Sequence, residues 1–458
     1  MERAAPLRLD YTLHDLYSDT NEDPGTVLIY YPLQFGYNHD NSTVKFAYGY
    51  ALQDDNEEAA SNMAMAANMI PQRYAFTAGQ MPLVVLDFDE KNNQRKNPTI
   101  DQIPSHHVDI HRTFDQFMPD QQPILSFANS PESISLDAGA KVAVLLPTDC
   151  LSHLSHIVDP EVHYEILSKR GLALSGLPTP ASQVIDVDPR LIDPTSPISL
   201  EQEVARIVKS MDHRHLPFII KLPQSISGVG TFPITTEAER GRVKGILTAK
   251  LGFMLQQLNE VNQHLYPCSV LFQDFVTGPV VALSLFVTKE GQPRFVSCCT
   301  QLFDKHGHWL GGSISYKKQA EYAETFAALM EKTATFLHRK GYHGPAGVDI
   351  VTDERSGEHL IIDLNVRVTG TFHLGPLTGH FTQRGLHEAA MVTGEVSCTR
   401  DAFEERFADD IRSGSMVVSG WVHGELNRAS HATINIAARD SRELEEYFER
   451  IRAVGLHI

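Results

Sequence analysis

The sequence predicts an α/β and α+β protein with several domains. Its 458 residues suggest two to four domains at an ordinary size of roughly 150 residues each. In the first 145 or so residues, short apolar runs alternate with helical segments, which is typical of an open α/β layer. Further along, apolar runs separated by short polar turns predict paired strands and a hairpin. We therefore expect one layered α/β domain followed by α+β lobes.

Short apolar or β-branched runs bounded by turn residues predict the strands. These runs lie at 26–32, 82–88, 141–146, 217–222, 270–276, 280–287, 294–302 and 433–438. An Ala/Met-rich segment after an acidic lead predicts a helix over 59–70. Apolar residues on related turns predict longer helices over about 237–265, 317–340 and 441–451. The histidines of 106–111 are expected in a polar loop, because no further metal ligand is evident nearby.

The composition narrows the classes of partner. The formal net charge is −18, and an acidic surface repels phosphate backbones, so nucleic acid and anionic membranes are excluded as main partners. A local basic pocket for a small anion is still allowed. No run approaches the ~18 apolar residues that a membrane span needs. The five cysteines match no zinc pattern, and we expect a cytoplasmic protein with reduced thiols.

The most informative segment is 347–367, where two alternating apolar runs flank a polar turn and predict a β-hairpin. With the turn centred on Ser356, Asp349 lies directly opposite Asp363. Side chains alternate along a strand, so Asn365 and Arg367 share the face of the two carboxylates. The opposite face takes the apolar side chains, Val348, Ile350, Ile362, Leu364 and Val366.

Two bare carboxylates about 5 Å apart at Cβ would repel each other. A divalent cation removes the repulsion, because Mg²⁺ prefers oxygen ligands from carboxylates and amides and takes phosphate oxygens as further ligands. We therefore predict a metal site at Asp349, Asp363 and Asn365. The planar fork of Arg367 suits a phosphate or a carboxylate beside it. The alternative is an exposed polar face on an edge hairpin.

A strand followed by a loop of small residues lies at 218–232. The strand delivers Lys221, and the loop contains Ser227, Gly228 and Gly230. Glycines let successive backbone N–H groups converge on an anion. The spacing matches neither a P-loop nor a Rossmann fingerprint, so a plain hairpin turn is the alternative. Lys221 ahead of the loop favours a phosphate-binding role.

A third segment ends a buried strand at Gln273, Asp274, Phe275 and Val276. Polar side chains followed by backbone groups in an apolar setting suit an adenine edge and a ribose. Taken alone, the segment is an ordinary strand end.

These three segments, in this order, resemble the ATP-grasp superfamily. In that family a strand with a Gly/Ser loop covers the triphosphate, a hinge strand binds adenine and ribose, and a hairpin with an acid and then acid-x-Asn-x-Arg binds magnesium and the reacting phosphate. The resemblance covers roughly residues 150 to 395. It implies an ATP-grasp fold, in which an N-terminal α/β pre-ATP-grasp domain precedes two α+β lobes that enclose ATP.

The implied division of the chain has three parts. They are an N-terminal domain at 1–148, an ATP-grasp region at 149–400 with a small lobe at about 215–280 and a large lobe at about 281–400, and a C-terminal strand-helix extension at 401–458.

The resemblance also implies the roles of the site residues. Lys221 and Arg367 would act in catalysis. The cofactors would be ATP and one or two Mg²⁺ ions, with Mn²⁺ as an alternative. The metal would be held by Asp349, Asp363 and Asn365, and ATP by Lys221, Ser227, Gly228, Gly230, Gln273, Asp274, Phe275 and Val276.

The sequence departs from the family pattern at three points. Gln273 replaces the usual hinge acid, which keeps an acceptor for the adenine amine and removes the charge. Both metal carboxylates are Asp where Glu is common, which shortens their reach. The lysine of the preceding subdomain is not clearly placed, and Lys169 is a candidate for which a solvated helix-end lysine is the favoured interpretation.

The Gly/Thr/His-rich run at 368–381 follows directly from the metal strand. It is expected to form a loop near the acceptor substrate, with His373 as a substrate contact. The run resembles a fungal branch of ATP-grasp ligases that act in secondary metabolite biosynthesis.

The resemblance implies a carboxylate–amine ligase that forms an amide or peptide bond through an acyl phosphate and releases ADP and phosphate. Its partners would be a small-molecule carboxylate and an amine, with a homodimer left open. The alternatives are a ligase with a thiol or hydroxyl acceptor, a kinase, and a non-catalytic ATP-binding module.

Overall fold

Three main β-sheets organise the computed structural model, which describes residues 6–18, 25–30, 43–48, 68–89, 94–95, 105–188, 192–193, 196–224, 230–305, 307–424 and 429–456. The strands are β1 Thr26–Tyr30, β2 Pro82–Leu86, β3 Phe88–Asp89, β4 Gln94–Arg95, β5 Ile124–Ala128, β6 Lys141–Ala143, β7 Ser182–Ile185, β8 Phe218–Lys221, β9 Thr231–Ile234, β10 Val270–Asp274, β11 Val280–Val287, β12 Pro293–Phe303, β13 Trp309–Ser315, β14 Gly344–Thr352, β15 His359–Asn365, β16 Glu388–Val396, β17 Met416–Gly424 and β18 Ala429–Ala438. The α-helices are α1 Leu13–Tyr17, α2 Ile70–Tyr74, α3 Ser105–Phe114, α4 Pro160–Leu167, α5 Lys169–Leu174, α6 Pro197–Lys209, α7 Glu237–Leu255, α8 Gln319–Thr325, α9 Ala327–Arg339, α10 Thr378–Thr382, α11 Arg400–Arg406, α12 Ala408–Ser413 and α13 Ser441–Arg452.

The first sheet is a parallel α/β layer. Its strand order is β5-β2-β1-β6, and its pairings are parallel. Every residue of β1 is buried, as expected for a central parallel strand covered on both faces. The strands predicted at 26–32, 82–88 and 141–146 are present with shorter ends, so the predicted α/β layer is confirmed. The helix predicted over 59–70 lies mostly outside the described residues.

The histidines predicted to lie in a polar loop are on helix α3 instead. His106 and His107 are buried, and the Nε2 atom of each ring is hydrogen-bonded to one carboxylate oxygen of Asp87, which follows β2. Burial would raise the pKa of Asp87, but the hydrogen bonds from both imidazoles outweigh it and lower that pKa. The loop prediction was wrong. It rested on the absence of a further metal ligand nearby in the sequence, whereas the partner carboxylate, Asp87, follows a different element, β2.

The second sheet, β7-β10-β8-β9, is antiparallel. One face packs on α6 and α7 through a core that includes Phe218, Ile220 and Phe272. Lys221 pairs with Leu271, and Gln273 pairs with Ile219. Because side chains alternate along a strand, Lys221 and Gln273 share the face turned away from these helices.

The third sheet has eight strands in the order β15-β14-β11-β12-β13-β16-β18-β17. The hairpin β14–β15 forms one edge, and the strands that follow residue 401 complete the other. The predicted helix over 317–340 is present as α8 and α9, and the helix predicted to start at 237 ends at Leu255. No helix in the described parts of the chain is long and apolar enough to cross a membrane.

A buried glutamine fastens the first part of the chain to the third sheet. The side chain of Gln72 on α2 is fully buried. Its Nε2 donates to the Trp421 carbonyl at 2.7 Å, and its Oε1 accepts from the Trp421 N–H at 2.9 Å and from the Thr113 hydroxyl at 2.7 Å. Gln72 therefore pairs backbone groups on the open side of the edge strand β17, which would otherwise be buried without partners.

Replacing Gln72 by Leu should lower the free energy of unfolding by about 3 kcal/mol, because buried backbone groups of Trp421 lose their partner. Urea denaturation followed by circular dichroism measures the loss. The matched control is Gln80→Leu, since Gln80 is exposed and its replacement should change stability by less than about 0.5 kcal/mol. Similar values for the two variants would contradict the role given to Gln72.

Candidate active site

The hairpin β14–β15 places two carboxylates directly opposite each other. Asp349 pairs with Asp363, and Gly347 pairs with Asn365, as the sequence predicts. The register shifts after Asp349, so that Ile350 pairs with Ile361. Ile361 is therefore buried in the core, and Ile362, which was expected there, lines the cavity on the other face. The prediction for Ile362 was wrong because symmetric counting from the turn cannot reveal a β-bulge.

Small residues next to the carboxylates leave room for a cavity of about 400 Å³. Ala282 on β11 pairs with Asp349, and Ser284 pairs with Gly347. A Cβ atom at position 347 would lie 2.1 Å from the Thr369 methyl carbon, so any other residue there would displace the Thr369 side chain. The third sheet thus carries the carboxylates on its edge strands β14 and β15, and the small side chains of the neighbouring strand β11 leave the cavity open beside them.

Two buried lysines approach the carboxylates. Lys169, at the start of α5, is 5% exposed and forms an ion pair with Asp363. Lys221 is 6% exposed, and its Nζ donates to the carbonyl oxygen of Ile362 at 2.6 Å. Burial lowers the pKa of Lys221 to about 8, with a further lowering from Lys169 that the carboxylates of Asp363 and Asp349 oppose. A phosphate group beside such an amine would raise its pKa again, because a nearby negative charge favours the protonated form.

The two carboxylates titrate as a coupled pair. Burial and the neighbouring negative charge of Asp363 raise the pKa of Asp349, against a hydrogen bond from Gln301. Burial would also raise the pKa of Asp363, but Lys169 and Lys221 outweigh it and lower that pKa. A cation attracted by the negative charge of Asp363 would therefore also stabilise the negative charge of Asp349.

Arg367 extends the polar face beyond the carboxylates. The Asn365 amide donates to Asp363 Oδ2 at 3.5 Å, and the Asn365 Oδ1 accepts from Arg367 Nη2 at 2.9 Å. Arg367 is 9% exposed, and its Nε atom is buried without a hydrogen-bond partner. Together with Arg73, the guanidinium lowers the pKa of the Tyr74 side chain on α2 against the effect of burial. A buried cation with unused donors is suited to an anionic ligand.

The hinge segment ends β10 of the second sheet and leads into β11 of the third, and its residues lie outside the lining of this cavity. Gln273 is 2% exposed; its Nε2 donates to Ser182 Oγ at 3.2 Å, and its Oε1 is buried without a partner. Asp274 is exposed, and Phe275 and Val276 are half-buried after the end of β10. The orphaned acceptor of Gln273 fits a ligand that brings an N–H donor.

The small-residue loop is described only in part. Ser227 and Gly228 lie outside the described residues. Gly230 adopts a φ of +91°, and its carbonyl oxygen accepts from the Leu222 N–H at 2.9 Å. The loop therefore starts beside Lys221 and ends beside β9, whose first residue, Thr231, lines the cavity.

Several lining residues were missed or misjudged from the sequence. Lys169 was expected to be solvated, but a serine N-cap at 168 starts α5 and the chain folds its side chain inward. His373 was expected at the substrate. It is instead buried outside the cavity lining, its Nε2 lies 2.6 Å from Asn435 Oδ1, and burial lowers its pKa to about 3. The other unforeseen lining residues include Arg73, Tyr74, Ala282, Ser284, Gln301 and Trp309.

Comparisons with known proteins agree with this arrangement. Residues 243–371 match the family model of an ATP-grasp domain. The fold is similar to that of N5-carboxyaminoimidazole ribonucleotide synthetase in its ADP complex, at 12% identity and a TM-score of 0.51, covering 94% of this chain and 97% of that chain. The fold is also similar to that of an L-amino acid ligase from Bacillus licheniformis, at 9% identity and a TM-score of 0.48. That alignment covers 94% of this chain and 98% of the ligase. No curated protein sequence matches the chain.

The domain match and the shared fold define the class of this structure as ATP-grasp. Residues 243–371 therefore contain an ATP-grasp domain, and the chain as a whole shares the fold of the synthetase named above. This confirms the fold and the enzyme class predicted from the sequence. The fungal secondary-metabolism branch stays a prediction. The substrates of the two similar enzymes are not assigned to this protein.

Replacing Lys169 by Met should lower the free energy of unfolding by about 2–3 kcal/mol, because Asp363 and Asp349 then repel each other without their nearest cation. Added MgCl₂ should stabilise this variant more than it stabilises the wild type. The control is Lys340→Met, since Lys340 pairs with Glu165 at the surface and should contribute less than about 1 kcal/mol. Equal losses in the two variants, measured by urea denaturation, would argue against the assigned role of Lys169.

Proposed function

We propose that the protein is an ATP-dependent carboxylate–amine ligase that forms an amide or peptide bond through an acyl phosphate and releases ADP and phosphate. The observation that carries this proposal is the register of one hairpin. Asp349 faces Asp363, and Asn365 and Arg367 continue the same face into a cavity that two buried lysines share. This set of residues suits phosphoryl transfer, in which positioning and electrostatic stabilisation supply most of the catalysis.

The oxygen atoms of Asp349, Asp363 and Asn365 fit a divalent cation. They are hard ligands on one strand pair, and burial together with the negative charge of Asp363 raises the pKa of Asp349, which a bound cation would lower again. To bind the cation, the Asn365 amide oxygen would turn from Arg367 toward the carboxylates. Mg²⁺ is the cation we propose, with Mn²⁺ as an alternative. When bound, it would neutralise phosphate oxygens and hold them for transfer.

ATP would occupy the space between the second and third sheets. We assign its phosphates to Lys221, Lys169 and the loop that contains Ser227, Gly228 and Gly230. The buried Oε1 of Gln273 would accept a hydrogen bond from the adenine amino group. Asp274 at the exposed strand end would reach the ribose, and the backbone of Phe275 and Val276 would contact the adenine edge.

In the first chemical step, a substrate carboxylate oxygen attacks the γ-phosphorus, the bond from that phosphorus to the β,γ-bridging oxygen breaks, and ADP leaves. Arg367 would stabilise the charge on the transferring phosphoryl group. In the second step, the amine nitrogen attacks the acyl carbon, and the bond from that carbon to the phosphate oxygen breaks. Inorganic phosphate leaves, and the nitrogen loses a proton as the amide forms.

Two kinds of rival differ in what they release. A thiol or hydroxyl acceptor, or a kinase reaction, would still give ADP, but with another product. A non-catalytic module would bind ATP and give no ADP at all. The buried face of Asp349, Asp363, Asn365 and Arg367 argues against such a module, because simple binding has no need for groups that polarise the γ-phosphate. A screen of ADP release over acids and amines, singly and in pairs, tests the proposal.

The Asp363→Asn variant should keep its fold and lose turnover by about 10²–10³-fold, because one charged ligand of the cation becomes neutral. The readouts are kcat at limiting Mg²⁺ and the circular dichroism spectrum. Glu358→Gln serves as control, since Glu358 is an exposed acid on the same hairpin and its loss should leave kcat unchanged. Wild-type kcat in Asp363→Asn would sink the metal assignment.

The Arg367→Lys variant should keep its affinity for ATP within about threefold and lose 10²–10³ in kcat, on the order expected for a charge-stabilising donor. Lysine keeps the charge and lacks the two-pronged geometry that a phosphoryl group or a carboxylate requires. Calorimetry gives the nucleotide Kd, and the ADP assay gives kcat. The matched control is Arg355→Lys at the exposed hairpin turn, and an unchanged kcat at position 367 would remove Arg367 from the catalytic groups.

A further inference from the structure

A second arginine lines the cavity and has no part in the reaction described above. Arg73 lies on α2, directly after Gln72, whose side chain hydrogen-bonds the backbone of Trp421. The centre of its guanidinium is 4.6 Å from the centroid of the Trp309 ring and 5.2 Å from that of Tyr74. Its Nε atom is buried without a hydrogen-bond partner, and no carboxylate of the described residues forms an ion pair with it. Arg73 is thus a cation held between aromatic rings and facing open space.

Other arginines of the chain show what a structural role looks like. Arg400 is 5% exposed and pairs with Glu404 at 2.8 Å and Asp109 at 3.6 Å. Arg450 lies over two aromatic rings, as Arg73 does, and also pairs with Asp410. Arg73 has no such anion among the described residues, and a guanidinium with a buried donor and no anion costs stability, so its retention points to a ligand that supplies the charge.

The surroundings of Arg73 reinforce the positive field. Burial would raise the pKa of the Tyr74 hydroxyl, but Arg73 and Arg367 outweigh it and lower that pKa. Burial likewise lowers the pKa of the Arg73 guanidinium itself; Tyr74 opposes this effect, and Arg367 adds to it. The charged residues that line the cavity are four cationic ones, Arg73, Lys169, Lys221 and Arg367, and two carboxylates, Asp349 and Asp363. A chain with a net charge of −18 thus contains one pocket with an excess of positive charge.

The position of Arg73 is fixed on both sides. Gln72 ties α2 to the backbone of Trp421 through two hydrogen bonds of 2.7 and 2.9 Å. On the cavity side, a Cβ atom at Gly370 would lie 2.1 Å from Arg73 Nη2, so the absence of a side chain there makes the space that the guanidinium occupies. Arg73 is therefore preorganised, which reduces the entropy lost when it binds a ligand.

We propose that Arg73, flanked by Trp309, binds a carboxylate of the substrate other than the one that is phosphorylated. This inference rests on the proposed ligase function and names the substrate class: at least one substrate carries a second, unreacted carboxylate. One planar fork matches the geometry and the single charge of a carboxylate. The group belongs either to an amino-acid acceptor or to a dicarboxylic donor, and both place the same chemistry at Arg73.

The first test uses malonate as the probe, added to the wild-type protein saturated with MgADP so that the nucleotide region is filled. Calorimetry should detect malonate binding, and the Arg73→Gln variant should weaken it by about 10- to 100-fold, as expected for the loss of a charge-assisted pair. The same variant should unfold no earlier than the wild type, because it removes a cation that has no anionic partner in the described parts of the chain. Inorganic phosphate, titrated in parallel, should bind more weakly than malonate.

The control is Arg450→Gln, which removes an arginine that lies over aromatic rings and has a carboxylate partner. It should unfold earlier than the wild type and bind malonate equally well. Three results would overturn the proposal: no malonate binding to the wild type, equal binding by Arg73→Gln, or tighter binding of phosphate than of malonate. Early unfolding of Arg73→Gln together with unchanged malonate binding would assign Arg73 to structure alone.

The second test identifies which substrate carries the group. ADP release is compared for L-alanine against L-alaninamide as acceptors, and for succinate against succinamate as acids, in the wild type and in Arg73→Gln. If the wild type prefers the compound with the free carboxylate and the variant loses this preference through a higher KM for that compound, the proposal is supported. The compound affected then shows which substrate carries the group. A preference that survives in the variant contradicts the proposal. Absence of ADP release with every acid and amine would count against the ligase function, and malonate binding would still decide the role of Arg73 by itself.

Discussion

The structure depends on holding two like charges face to face. Asp349 and Asp363 lie on paired strands at the edge of an eight-stranded sheet, and their repulsion must be met by positive charge from elsewhere in the chain. Lys169 and Lys221 supply part of it, and each comes from a different element outside that sheet. Folding therefore assembles the site, because the carboxylates become tolerable only once both lysines have arrived. A cation and the phosphates of a nucleotide would complete the same balance of charge.

The hairpin was the part of the site that the sequence revealed best, because its geometry is local. Alternation along each strand and the position of the turn suffice to pair Asp349 with Asp363 and to place Asn365 on the same face. Ile362 shows where such counting stops. A single bulge moves it from the core face to the cavity, where its carbonyl oxygen accepts the Lys221 hydrogen bond that joins the two lobes. The register shift that escaped prediction is thus part of how the site is built.

The groups that stayed hidden in the sequence are those whose partners are distant along the chain. Lys169 has the local pattern of a solvated helix start, and only the tertiary fold brings Asp363 to it. Arg73 and Trp309 lie in no recognisable motif and meet because α2 packs on the third sheet. The strands at 182–185, 309–315 and 416–424 were also not predicted, since their sequences lack a continuous apolar run and gain their order from neighbours.

The missing side chain at Gly370 has a consequence for how such sequences diverge. A Cβ atom there would lie 2.1 Å from Arg73 Nη2, so a side chain at position 370 would have to displace the guanidinium, although the two positions are distant along the chain. A relative with a larger residue at position 370 should carry a shorter residue at position 73, and it would then lose the cation of Arg73. Covariation of these two sites would then sort related sequences into those that select an acidic substrate and those that do not.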